Sequence, residues 1–154
     1  MRYRLRSLSF LFMLGLILAP TSPAQPISIT GGNQTMTISA GTAGGQPISV
    51  LNTACTLRYK KQARISKITV ATSCPGQDYS LYVLATNVTK GVAAPQVSLV
   101  NGNTAMDLIT SIPTTGTRNA TCTLQFTASA TFSDGNSAEL GDDVHTITYT
   151  ILVQ

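Results

Sequence analysis

The closing stretch His145–Gln154, HTITYTILVQ, sets Ile147, Tyr149, Ile151 and Val153 on one face and Thr146, Thr148 and Thr150 on the other. Only an extended chain separates residues in this way, because strand side chains alternate with a period of two. The same alternation, rich in β-branched residues, recurs from residue 25 onward, and no segment there carries a helical period. It predicts strands over 27–30, 35–40, 48–52, 54–59, 66–72, 79–85, 96–100, 104–110, 120–132 and 145–153. Turn residues separate them, among them Gly31-Gly32-Asn33, Gly44-Gly45-Gln46-Pro47 and Cys74-Pro75-Gly76. Asn101-Gly102 is the strongest hairpin signal, since both positions tolerate positive φ. Many short, evenly spaced strands of this kind predict an all-β fold, a single immunoglobulin-like antiparallel β-sandwich.

The N-terminus has a different character. Arg2, Arg4 and Arg6 precede an apolar run from Leu8 to Ala19, which Pro20 ends and small residues Ser22 and Ala24 follow. That is the layout of a signal peptide over 1–24, and the run is well short of the roughly 20 apolar residues a membrane span needs. The expected mature domain is 25–154, without a transmembrane span, in a secreted, periplasmic or cell-surface setting. Without the three leader arginines, seven basic residues face six acids. So slight an excess gives no electrostatic case for nucleic acid.

Three cysteines remain, Cys55, Cys74 and Cys122. An oxidising compartment predicts one disulfide and one spare thiol. The cheaper loop closure favours Cys55–Cys74. An internal echo supports Cys55–Cys122 instead: Asn52-Thr-Ala-Cys-Thr-Leu-Arg-Tyr59 matches Asn119-Ala-Thr-Cys-Thr-Leu-Gln-Phe126, which turns both cysteines towards one core.

Chemistry is thinly supplied. The single histidine, His145, has no serine in a nucleophile-elbow pattern to serve, so no catalytic residue is expected. The cysteine spacing makes no zinc knuckle, so neither metal nor cofactor is expected. His145 beside Asp142 and Asp143 reads as a polar rim residue. Asp134, Glu139, Asp142 and Asp143 crowd one loop. Calcium favours oxygen-rich loops, but the spacing departs from the EF-hand order and reads as a solvated connection. The most site-like feature is basic: Arg58, Lys60, Lys61, Arg64 and Lys67 fall in one expected hairpin around Tyr59. Such a patch suits an anionic glycan or surface, while lysines at a hairpin tip also discourage edge pairing.

Taken together, the leader, the alternating Ile27-Ser-Ile29-Thr30, the threonine-rich body and the closing strand resemble secreted bacterial β-sandwich subunits of the broad pilin-like and spore-coat-U-like kind. Chaperone–usher pilins place a glycine fourteen residues from the end, as Gly141 is here, and a penultimate tyrosine, where this chain has Val153. Their early disulfide has no counterpart either. The resemblance implies a non-catalytic structural or adhesive subunit that pairs with its own copies through edge strands, with Ile27 and Ile29 on the associating strand. The alternative is a monomeric binding module that uses the basic hairpin.

Overall fold

A computed structural model describes residues 27–41, 44–134 and 140–154. The expected leader at 1–24 lies outside them, as do the first two residues of the expected mature chain. The described residues form nine strands: β1 (Ile27–Thr30), β2 (Val50–Lys60), β3 (Ser66–Ser73), β4 (Ser80–Thr86), β5 (Val92–Ala93), β6 (Val97–Leu99), β7 (Met106–Ile112), β8 (Asn119–Ser129) and β9 (Thr146–Val153). Two antiparallel sheets hold them, in the orders β1-β2-β8-β4-β6 and β5-β7-β3-β9. This is an all-β sandwich, as the alternation predicts. No helix among the described residues is long and apolar enough to cross a membrane.

From β2 onward the chain changes sheet at every connection. Two expected hairpins are corrected by this. Asn101-Gly102 does make a tight turn, with Gly102 at φ 77° and Asn103 N–H donating to Val100 C=O at 3.2 Å. The turn nevertheless leads from β6 in one sheet to β7 in the other. The basic segment likewise joins β2 to β3 across the sandwich. Turn chemistry encodes a reversal of direction; which strand pairs with which is decided by burial on two facing sheets.

The inner faces follow from the alternation. Cys55, Leu57 and Tyr59 of β2 and Cys122, Leu124 and Phe126 of β8 are all buried, so the two echoed segments are neighbouring strands lining one core. Ile68 and Val70 of β3, with Leu108, Ile109 and Ile112 of β7, close that core from the opposite sheet. Full burial of such side chains contributes roughly 1.5–3 kcal/mol each, and this is the main force holding the sheets together.

Besides shifts of one or two residues and the unexpected short β5, the structure departs from the expected strands in three places. The strands expected over 48–52 and 54–59 merge into one, β2, which begins only at Val50 and is broken by a bulge between Asn52 and Cys55, where the Asn52 side chain accepts the Ala54 N–H at 2.8 Å. Segment 35–40 is not a strand; it packs Met36 on the core and returns through a bridge between Gly41 and Pro47. The strand expected over 120–132 ends at Ser129, and a 3-10 turn, Phe132–Asp134, follows. Val153, expected inside, is 57% exposed, while Ile147, Tyr149 and Ile151 pack half-buried against the core.

The disulfide expectation is also corrected. All three cysteines are buried and free. The register pairs Cys55 with Leu124 and Leu57 with Cys122, which makes Cys55 and Cys122 diagonal neighbours. Diagonal positions are about 7–8 Å apart, beyond the usual reach of a bridge. Cys74 follows the last residue of β3 in the other sheet, and both it and Cys55 are free thiols, so the favoured Cys55–Cys74 bridge does not form.

Candidate functional site

The two ends of the sandwich carry opposite charge. Arg58 and Lys60 close β2, Lys61 and Arg64 occupy the crossing to β3, and Lys67 opens β3. Two bases that the linear pattern left out join them. Arg118 C=O accepts the Lys61 N–H at 3.0 Å, and the Lys90 C=O accepts the Tyr59 hydroxyl. Neither was legible as a neighbour, because β3 and β4 separate the basic segment from Lys90, and β3 to β7 separate it from Arg118. The patch is thus larger than expected, but parts of it are committed. Lys61 donates to Thr114 C=O at 2.6 Å, Lys90 to Thr115 and Thr117 carbonyls, and Lys67 pairs with Asp107 at 2.7 Å. Arg58, Arg64 and Arg118 are exposed. A shallow depression of about 240 Å³ beside them is lined by Ser28, Arg58, Lys60, Asn119 and Thr121.

At the other end Asp78, Asp134, Asp142 and Asp143 surround Tyr79, and burial followed by their charge raises its phenol pKa. The acidic loop does not assemble as a calcium cage among the described residues. The Asp134 carboxylate is taken up by the Thr131 N–H and hydroxyl, at 2.7 and 2.8 Å, and Glu139 lies outside them.

One constellation there was not expected. The β3–β9 register ends at Ser73 opposite Thr146, so the next position sets Cys74 across from His145. Asp143 lies two residues before His145, and two residues is the period that returns an extended chain to the same face. The ligand atoms of Cys74, Asp143 and His145 all lie within 4.8 Å of one another. His145 is no exposed rim residue: its side chain is 11% exposed and that of Asp143 10%. Asp143 accepts the Asp78 N–H at 3.1 Å and the Tyr79 N–H at 2.9 Å, and the Thr72 hydroxyl meets His145 Nδ1 at 3.0 Å. Burial lowers the His145 pKa against the opposing pull of Asp143. Burial, then the Asp143 charge, raises that of Cys74. The sequence showed Asp-x-His at a strand start and a cysteine at a strand end; only the register joins them.

This is not a nucleophilic relay. A thiol–imidazole–carboxylate relay places thiol and carboxylate on opposite ring nitrogens. Here the Thr72 hydroxyl occupies Nδ1, and Nε2 is the nitrogen 3.9 Å from Asp143. Burial also pushes Cys122 up to about 11, and Cys55 upward too, so neither core thiol is an activated nucleophile.

The sheet edges complete the set of candidate surfaces. β1, with Ile27 and Ile29, borders the five-stranded sheet and is tied to β2 from Ile27↔Tyr59 to Thr30↔Thr56. Ile27 packs on the core and Ile29 is 45% exposed. β9 borders the four-stranded sheet and pairs only with β3 among the described residues. Its eight residues, TITYTILV, include no charge and no proline. Comparison with known proteins adds no relative: no family model matches the chain, and neither does any curated protein or solved structure.

Proposed function

We propose that this chain is a non-catalytic secreted or cell-surface structural subunit that associates with its own copies through open sheet edges. The outer edge of β9 carries the reading. A strand edge presents unpaired N–H and C=O groups, and monomeric proteins blunt long edges with lysine, proline or a bulge. β9 has none of these along eight residues, with Thr148 and Thr150 exposed beside the edge. A strand from a second copy that adds there would satisfy the edge by main-chain hydrogen bonds. The sequence pointed to β1 for this role; β9 is twice as long and equally uncharged.

The test is a Thr148→Lys, Thr150→Lys double variant. The native protein is expected to show oligomers that grow with concentration in light scattering. The variant should remain monomeric with an unchanged β-sheet circular dichroism spectrum. A native protein that stays monomeric throughout the series defeats the proposal.

A second reading, a binding module for anionic glycans or surfaces, is favoured by the gathering of Lys90 and Arg118 with the five expected bases. Its variant changes the exposed Arg58, Arg64 and Arg118 to Ser. Exposed substitutions of this kind usually stay within about 0.5 kcal/mol, so stability should hardly move. Retention on heparin should be lost, and unchanged retention would retire this reading.

A further inference from the structure

We propose that Cys74, Asp143 and His145 bind a single thiophilic divalent cation, zinc in the first instance, which clamps the start of β9 to the end of β3. The donor set is a soft sulfur, an imidazole nitrogen and a carboxylate oxygen, the ligands zinc takes in proteins. Tetrahedral zinc holds such donors about 3.3–3.8 Å apart, given bond lengths near 2.3 Å to sulfur and 2.0–2.2 Å to nitrogen or oxygen. Donors already within 4.8 Å of one another need to close by only about 1 Å.

The surroundings are those of a built site. Cys74 is 1% exposed, and its N–H is held by the Asn101 side chain at 2.9 Å. Two backbone N–H groups fix the Asp143 carboxylate. The Thr72 hydroxyl can accept the Nδ1 proton of His145, which turns the Nε2 lone pair towards Asp143 and sets the tautomer a metal requires. Nε2 and the Asp143 oxygen face each other at 3.9 Å, too far for a hydrogen bond. A cation between them satisfies both. On binding, the Cys74 S–H bond gives way to a sulfur–metal bond and the proton leaves to solvent. Three protein ligands leave one tetrahedral position for water.

The experiment uses the purified protein stripped of metal. Zinc should bind one equivalent per chain against a chromophoric chelator, and cobalt(II) should produce a thiolate charge-transfer band with tetrahedral d–d bands. Cys74→Ser should abolish the charge-transfer band. His145→Gln and Asp143→Asn should weaken zinc on the order of 100-fold, and Thr72→Val, acting through the ring, about 10–100-fold. Calcium, which seeks oxygen donors, should not compete. If Cys74→Ser fails to fold, alkylation of the native protein still decides the matter: zinc should protect Cys74 selectively, as read by peptide mass spectrometry. Absence of the charge-transfer band, or zinc protection that falls on Cys55 or Cys122 instead, would overturn the proposal. None of these readouts depends on self-association.

Discussion

Deletion of Tyr149–Gln154 is expected to unfold the domain. β3 is the inner strand of the four-stranded sheet next to β9, and its register from Ser66↔Val153 to Val70↔Tyr149 would lose every partner on that side. Each lost ladder hydrogen bond is worth about 0.5–1.5 kcal/mol net. Tyr149 and Ile151, half-buried on the core, forfeit about half of the 1.5–3 kcal/mol that full burial gives, whereas Val153 contributes little. Gln154 adds two ties: its N–H donates to Ile65 C=O at 2.9 Å, and its side-chain oxygen accepts the Ser111 N–H at 2.9 Å. The Ser111 tie matters because this residue sits at φ 53° in the irregular stretch of β7. The combined loss, about 5 kcal/mol or more, is comparable with the 5–15 kcal/mol that holds a domain folded. Urea denaturation followed by circular dichroism would show no cooperative transition. A truncated chain that melts near the native midpoint contradicts the account.

The second large effect is expected at Gly91, in the short connection before β5. Its φ is +93°, and a Cβ there would lie 2.7 Å from Thr110 C=O, 2.8 Å from Ile109 Cγ2 and 3.0 Å from Ile112 Cγ1. The first obstacle is backbone, and the two isoleucines are fully buried. Gly91→Ala therefore combines a left-handed backbone with overpacking of the core, each costing roughly 1–3 kcal/mol. Gly102→Ala is the control: φ is +77° but nothing lies within 4 Å of the added carbon. The melting temperature should fall by roughly 10 °C or more at Gly91 and by about 3–5 °C at Gly102. Equal shifts would mean that backbone conformation alone, and not the core beneath β5, sets the cost.

Alternation made most strands legible, because a half-buried strand writes its two faces into consecutive residues. The paired echo around Cys55 and Cys122 correctly placed Leu57, Tyr59, Leu124 and Phe126 inside. What stayed hidden was pairing. Residues such as Val92 and Ala93 form too short a strand to show a period, and residues 35–40 show the period without acquiring a partner. Both charge poles were partly visible as local runs. Lys90 and Arg118 were not, since long-range strand order alone brings them to the basic end. In the sequence alone, Cys74 reads as half of a disulfide and His145 as a rim residue. Their encounter depends on a register that begins at the far end of β3.

A chain that changes sheet at every turn after β2 has no local nucleus from which to fold. The most local strand contact pairs Val83 with Val97, and the β3–β9 ladder reaches from Ser73 to Thr146. Loop closure must therefore come before any ladder rewards it, a regime in which folding runs in milliseconds to seconds rather than microseconds. The order of synthesis sharpens this. β3 is made well before β9, so one side of β3 stays open until β9 has emerged. During that interval the nascent chain displays an unpaired strand edge that the finished sandwich covers.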